Sequence, residues 1–145
     1  MNHEIWAALV PELTCSRLLV SRDFYCELIG FTVRFERPED DFAYLELGGA
    51  QLMLEQCHPD SWTAGPLDWP LGRGMNLQIE VESLQPIRDR LRAAGIPMVR
   101  EPEQAWCREN DIEHGHVQML VQDPDGYLLR FIEVLGVRPA SGVDG

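Results

Sequence analysis

The sequence lacks the features that would direct it to a membrane or to nucleic acid. No apolar run approaches the roughly 18 residues that a membrane-spanning helix needs, and no basic leader precedes the short apolar stretch near its start. Basic residues are scarce, because 12 Lys and Arg stand against 24 Asp and Glu, for a net charge of −12. Polyanions and anionic membrane surfaces would be repelled. We therefore expect a cytoplasmic protein whose partners include neither nucleic acid nor a membrane.

The cysteines also lack the spacing of a metal or redox site. Cys15, Cys26, Cys57 and Cys107 form no C-x-x-C pair, so a zinc knuckle or a thioredoxin-type site has no support. A nucleophilic cysteine needs a base held within about 3 Å, and the sequence provides none for Cys107. We expect free thiols in a reducing compartment and predict no catalytic residue.

The order of the predicted elements repeats along the 145 residues. In the first half, an extended run over 7–14 precedes a helix that Ser16 caps and Gly30 ends, and three strands follow. In the second half, a strand precedes a helix between Ser83 and Gly95, and then come the strand "IPMVRE", a loop, and the strands "HVQMLVQ" and "YLLRFIEV". Two βαβββ modules in a single α+β domain are the simplest interpretation. The half-modules are about 7–56 and 75–136, the Pro- and Gly-rich linker is 57–74, and the frayed tail is 137–145.

The apolar pattern predicts which faces of these elements are buried. Val20, Phe24 and Leu28 recur at spacing four in the first helix. Strand side chains alternate between faces, and one set, which begins with Leu9 and Leu13, is almost purely apolar and should pack under the helices. The other set mixes polar, apolar and aromatic residues, as a concave binding surface does and as a half-exposed sheet face also does. This mixed set is Val10, Glu12, Tyr44, Glu46, Gln51, Met53, Glu55, Asn76, Gln78, Glu80, His116, Gln118, Leu120, Leu128, Arg130 and Ile132.

The repeated plan resembles a known superfamily. The stretches "RDFYCELIGF", "GRGMNLQIEV" and "QDPDGYLLRFIEV" are similar, in their order and spacing, to the vicinal oxygen chelate superfamily. This group holds glyoxalase I, extradiol dioxygenases, fosfomycin resistance enzymes and bleomycin resistance proteins. The resemblance covers about residues 7–136. It implies two modules that form a curved mixed sheet around a cleft, with the helices on the outer face.

The resemblance also allows the superfamily's metal site to be tested position by position. Its enzymes hold a divalent metal with His, Glu or Gln on the first, fourth, fifth and eighth strands, and these positions fall on Val10, Met53, Asn76 and Arg130. A shift of two residues on the fourth strand would give Gln51 or Glu55 in place of Met53. Valine cannot bind a metal, and a guanidinium stays protonated and would repel a dication. We therefore predict no metal, no cofactor and no enzymatic activity. The alternative is a metal-dependent glyoxalase- or dioxygenase-type lyase or oxidoreductase of the same superfamily.

Bleomycin resistance proteins are the metal-free binding branch of this superfamily. "VPELT" resembles their first strand, and "GFTVRFERPEDDFAYLEL" resembles their second and third strands. The ligand-contacting phenylalanines of that branch fall on Phe35 and Phe42. "HGHVQ" stands where that branch carries a Trp-Gly step. The resemblance implies a homodimer that sequesters a small, drug-like molecule without chemistry. Glu46, Glu55 and Glu80 on the mixed face, together with the net charge of −12, favour a cationic, partly planar guest.

One charged residue in the second half has two interpretations. Arg130 lies in mid-strand on the mixed face, where it could form a structural ion pair with Glu55 or grip a carboxylate or phosphate of the ligand. The predicted ligand-binding residues are Phe35, Phe42, Tyr44, Met53, Glu55, Asn76, Gln78, Trp106, His116 and Arg130.

Overall fold

The computed structural model of the protein describes residues 5–140. It divides into two compact units. The first comprises Met1–Gly74 and Asp123–Tyr127, and the second comprises Met75–Gln122 and Leu128–Gly145. The segment 57–74, which was expected to link the half-modules, carries neither helix nor strand.

The first unit is a four-stranded mixed sheet with one helix. Its strand order is β1-β4-β3-β2, with β1 parallel to β4 and the other pairs antiparallel. The elements are β1 (Glu12–Cys15), α1 (Leu18–Asp23), a π-helical segment that continues α1 (Phe24–Ile29), β2 (Thr32–Arg37), a 3₁₀ turn (Pro38–Asp40), β3 (Phe42–Leu47) and β4 (Ala50–Gln56).

The second unit repeats this plan. Its strand order is β5-β8-β7-β6, and again the first strand runs parallel to the last. The elements are β5 (Asn76–Glu80), α2 (Gln85–Ala93), β6 (Arg100–Glu109), β7 (Ile112–Gln122) and β8 (Leu128–Pro139). The α+β class and the repeated βαβββ modules are confirmed.

The first helix buries a different stripe from the one predicted. Phe24 is buried as predicted, and Leu28 is half-buried. Val20, however, is 39% exposed, and Leu18, Ser21 and Tyr25 are buried instead. The segment after Asp23 is π-helical, and its wider turn changes which side chains face the sheet. A spacing-four stripe assumes one regular α-helix and therefore cannot be extended from α1 into this segment.

Neither predicted serine cap forms. No side-chain capping hydrogen bond is present at the start of α1 or α2. The backbone N–H of Ser16 donates to Asp125 Oδ2 at 3.1 Å, and the N–H of Leu84 donates to Glu133 Oε1 at 2.9 Å. The N–H of Leu18, the first residue of α1, donates to Gln56 Oε1 at 3.0 Å. Side chains that are distant in sequence thus bind the backbone at the starts of both helices. The predicted end at Gly30 is confirmed by its left-handed φ of 116°.

Several strand boundaries also differ from the sequence prediction. β1 begins at Glu12, after Pro11, which has no N–H to donate, and Leu9 is 86% exposed. The expected loop before "HVQMLVQ" is in fact the paired ends of β6 and β7. β8 continues through Pro139, three residues into the expected frayed tail, and residues 141–145 lie outside the described part. The paired ends of β6 and β7 are rich in polar residues, so their sequence resembles that of a loop. The end of β8 instead carries the exposed apolar residues Val134, Leu135 and Val137.

The apolar side chains on one face of the strands pack in the core of each sheet, apart from Leu9. In the first unit Leu13, Leu45, Leu52 and Leu54 are buried, and in the second unit Met119, Val121, Leu129 and Phe131 are fully buried. Burial at this level supplies most of the driving force for folding. It also leaves the opposite face of each sheet for the mixed set.

Candidate ligand-binding site

The mixed face of the first sheet is organised in two transverse rows. Strand register places Glu12 opposite Met53, Met53 opposite Tyr44, and Tyr44 opposite Phe35. The adjacent row follows from the same pairings two residues further along. It runs Thr14, Glu55, Phe42 and Arg37. Acid, aromatic and cationic side chains therefore lie side by side across four strands.

A β-bulge brings Phe35 into the first row. Val33 pairs with Leu45, and the register then shifts so that Phe35 pairs with Tyr44. Without the extra residue, strict alternation would put Phe35 on the same face as Val33. The Phe35 and Tyr44 rings stack at 5.2 Å with an interplanar angle of 16°, and Phe42 lies 5.9 Å from Phe35.

These rows line a cavity of about 600 Å³ in the first unit. Aromatic rings and carboxylates dominate its wall, and Trp62, which is 92% exposed, lies at its rim. The lining residues are Glu12, Phe35, Arg37, Phe42, Tyr44, Met53, Glu55, His58, Asp60 and Trp62. The volume is in the range of small-molecule sites.

Charge in this cavity is arranged around two neighbouring acids. Burial raises the pKa of Glu12, the adjacent charge of Glu55 raises it further, and Arg37 opposes both effects. Glu55 Oε1 lies 3.4 Å from His58 Nε2. Two carboxylates that repel each other favour a cationic guest, because its charge relieves the repulsion.

One cation of the cavity lies on an aromatic ring. The guanidinium carbon of Arg37 is 4.1 Å from the centroid of Phe42 and 5.8 Å from that of Phe35. Its Nε donates to Asp40 Oδ2 at 3.1 Å. The predicted site did not include Arg37 or Glu12. Glu12 belonged to the mixed parity set, and Arg37, two residues after Phe35, could have been found from the same alternation.

The start of the described chain is bound to the back of this aromatic cluster. Trp6 contacts Tyr44 edge-to-face at 5.2 Å and Phe35 at 6.0 Å, and the Arg34 guanidinium stacks on Trp6 at 3.6 Å. Arg34 also donates to the carbonyl of Ile5 at 2.6 Å. No local sequence signal indicates this long-range contact.

A second cavity of the first unit, about 420 Å³, is a weaker candidate. Its lining includes Thr32, Glu46 and Gln51 together with glycines. The Gln51 amide already accepts from Tyr44 Oη and from the backbone N–H of Ala7. Polar groups that are satisfied internally offer little to a guest.

Five of the ten predicted residues line the larger cavity, and five belong to the second unit. The first group is Phe35, Phe42, Tyr44, Met53 and Glu55; the second group is Asn76, Gln78, Trp106, His116 and Arg130.

The residues of the second group have different surroundings within their unit. Gln78 is exposed and pairs in register with Arg130. Trp106 is stacked by Arg138 at 3.8 Å, and His116 Nε2 lies 3.3 Å from Gln118 Oε1. Arg130 forms no ion pair within residues 5–140, and its buried Nε has no hydrogen-bond partner there.

The superfamily's metal positions do not fit a divalent ion. Val10 has no donor atom, Met53 offers only a soft thioether, and Arg130 carries a permanent positive charge. Asn76 is the one position with a hard donor. Within residues 5–140, no three His, Cys, Asp or Glu side chains converge as a metal site would require.

Comparison with known proteins identifies the family. A family model described as "Glyoxalase/Bleomycin resistance protein/Dioxygenase superfamily" matches residues 9–131. The chain belongs to this superfamily. Bleomycin resistance proteins of Geobacillus stearothermophilus and Staphylococcus aureus are 27% identical to it over 134 residues, covering 86% of this chain and 94% of theirs.

Solved structures show the same fold. TioX from Micromonospora sp. ML1 has a TM-score of 0.67 at 21% identity, covering 90% of this chain and 100% of TioX. An integron cassette protein from the mobile metagenome of V. cholerae has a TM-score of 0.64 at 16% identity, covering 90% of this chain and 96% of that protein. Within residues 5–140, no helix is long and apolar enough to cross a membrane.

The acidic "DPDG" turn of this superfamily member is a structural element. Asp123 Oδ1 accepts the backbone N–H groups of Asp125 and Tyr127 at 2.8 and 3.1 Å, and Asp123 Oδ2 accepts from Tyr25 Oη at 2.7 Å. Gly126 has a φ of 94°, as the turn requires. Both carboxylates are buried, so they fix the turn and are not available to a ligand.

Proposed function

We propose that this protein binds a small cationic molecule with a planar aromatic part in the first-unit cavity and sequesters it without chemistry. The observation that supports this most strongly is the composition of the cavity wall. Four aromatic side chains and three carboxylates line the same space of about 600 Å³. The relatives' name, bleomycin resistance protein, supports a drug-like guest of this kind.

The aromatic side chains provide the surface for the planar part. Phe35 is 37% exposed beside its stacked partner Tyr44, and Trp62 lies at the rim, where it is free to close over a guest. Offset stacking of a guest ring on such a surface contributes about 0.5–1.5 kcal/mol beyond the burial of apolar area.

The carboxylates provide the preference for positive charge. Glu12, Glu55 and Asp60 line the cavity, and the net charge of the whole chain is −12. Such a field attracts cations from solution and speeds their association. Sequestration needs no further group, since a bound toxic molecule is removed from its target as long as the protein is in excess.

The second-unit residues and a homodimer belong to the same proposal. Asn76, Gln78, Trp106, His116 and Arg130 are proposed to contact the ligand, and the cytoplasm is the proposed location. The exposed apolar residues Val134 and Val137, at 56% and 59%, offer surface that a second copy could cover. Light scattering after size exclusion measures the mass: a dimer supports this part of the proposal, and a monomer at tens of micromolar protein contradicts it.

Tryptophan fluorescence tests the binding site. Bleomycin and the planar dicationic dye DAPI are titrated into the wild type, Trp62→Phe and Trp69→Phe. Trp69 is the matched control because it is 61% exposed and does not line the cavity. Saturable quenching that Trp62→Phe reduces and Trp69→Phe retains is the expected result. No quenching by either compound at tens of micromolar would contradict the proposal.

Metal analysis tests the enzymatic alternative. The protein is purified without chelator, and its Ni, Fe, Mn and Zn contents are measured. We expect less than one-tenth of an equivalent of each, because the four family positions offer one hard donor. One equivalent of a transition metal that survives dialysis would favour the lyase or oxidoreductase.

A further inference from the structure

Arg37 occupies the part of the cavity best suited to a planar cation. Its guanidinium lies on Phe42, 4.1 Å from the ring centroid, and within 5.8 Å of Phe35. A guanidinium is flat, delocalised and always charged at neutral pH. Phe42 is only 4% exposed although it lines the cavity, and Arg37 lies over one face of its ring. The chain's own side chain therefore has the chemistry expected of the guest.

Arg37 is held in this place weakly. Its one ion pair within residues 5–140 is with Asp40 at 3.1 Å, and the two side chains are 46% and 57% exposed. Exposed pairs of this kind contribute little, because water and salt screen them. The backbone of Arg37 is fixed by its pairing with Phe42, so only side-chain rotation is needed to clear the ring.

The acids of the cavity remain available to another cation. Glu12 forms no ion pair within 4.0 Å in the described part of the chain, and Glu55 contacts only His58, at 3.4 Å. Arg37 acts on Glu12 only as a nearby charge. A guest cation that displaced Arg37 would therefore find an open aromatic face beside Glu12, which has no ion-pair partner among the described residues, and beside Glu55, whose contact with His58 is partly exposed.

We infer that Arg37 is an internal competitor, and that the ligand's delocalised cationic group, of the amidinium or guanidinium class, displaces it from Phe42. This inference rests on the proposed function. It adds which group of the ligand is recognised and which residue of the protein lowers the affinity for that group. A compact ammonium, which is strongly hydrated and cannot stack flat, would not replace a guanidinium on the ring. The opposite role, in which Arg37 grips an anionic group of the ligand, predicts weaker binding when the charge is removed.

Calorimetric titration of DAPI, a planar bis-amidine, separates these roles. The wild type is compared with Arg37→Gln and with Arg22→Gln, which changes the net charge equally but lies outside the cavity, in an ion pair with Glu36 at 2.8 Å. We expect Arg37→Gln to bind DAPI about five- to tenfold more tightly than the wild type, from the cation–π contact and the like-charge repulsion that it removes. The DAPI affinity of Arg22→Gln should stay within about twofold of the wild-type affinity, because salt and water screen the charge of a residue outside the cavity.

The uncharged parent compound, phenylindole, tests whether charge is what Arg37 competes for. Its affinity should rise less in Arg37→Gln than that of DAPI. The inference is overturned if Arg37→Gln has the circular dichroism of the wild type but binds DAPI no more tightly than Arg22→Gln does. That result would leave the proposed function in place. DAPI that binds neither the wild type nor Arg37→Gln would overturn both.

Discussion

Stability should depend on pH through one buried carboxyl, and Asp123→Asn should remove that dependence. Asp123 is 5% exposed and accepts hydrogen bonds from Tyr25 and from the N–H groups of Asp125 and Tyr127. Burial raises its pKa from 3.8 to about 6, although these three donors oppose the rise. The charged form is therefore less favourable in the folded protein than in the unfolded chain.

The size of the effect follows from these two values. A carboxyl that holds its proton more tightly when folded stabilises the fold fully below pH 3.8, and this contribution is lost as the pH rises through about 6. The difference corresponds to about 3 kcal/mol at 1.36 kcal/mol per pH unit, of which about 1.4 kcal/mol is lost between pH 5 and pH 8. Asparagine keeps the acceptor for both backbone N–H groups and does not ionise. Its free energy of unfolding, relative to the wild type, should rise by about 1.4 kcal/mol from pH 5 to pH 8.

Urea denaturation followed by circular dichroism measures this difference at four pH values from pH 5 upward. Lower pH is avoided because the sequence pI is about 4.6. Asp68→Asn is the matched control, since Asp68 is exposed, and its difference from the wild type should stay constant. The reasoning is refuted if the free energy of unfolding of Asp123→Asn, relative to the wild type, stays constant within about 0.3 kcal/mol over this pH range. Linkage requires a group whose pKa is raised by folding to make the free energy of unfolding depend on pH.

Two further predictions follow from other contacts. Replacing both Glu12 and Glu55 by Gln should weaken DAPI binding about tenfold by loss of charge attraction and leave phenylindole binding unchanged; calorimetry measures both, and equal losses for the two compounds would contradict the electrostatic role. Gly115→Ala should destabilise the fold by about 1–3 kcal/mol, because the new methyl group would collide with the Trp106 ring, on which the Arg138 guanidinium is stacked at 3.8 Å. Urea denaturation measures this loss, and stability equal to the wild type would show that the ring moves freely.

Strand alternation placed three of the cavity-lining residues on one face of the sheet, because alternation depends only on local geometry. The side chains of Tyr44, Met53 and Glu55 lie on the same face of two paired strands. All three line one cavity. The family resemblance added Phe35 and Phe42. Alternation alone would have put Phe35 on the face of Val33, because a β-bulge is an insertion that no residue type in "FTVRFER" announces.

Features that depend on distant contacts were not predictable in this way. Trp6 reaches Tyr44 and Arg34 across more than twenty residues of chain, and the Gln56 side chain accepts the N–H of Leu18 in place of a local cap. The ends of β6 and β7 are rich in polar residues, and the end of β8 is largely exposed on both faces. Their pairing is therefore decided by backbone hydrogen bonds that carry no sequence signature.

The most direct test of the central claim is an amide NMR titration of the 145-residue chain with DAPI. The proposal predicts saturable shift changes that are largest at the two rows of the first sheet, around Phe35, Phe42, Met53 and Glu55. Saturable changes confined to the second unit, or no saturable change at any amide, would contradict a cation-binding cavity on the first sheet.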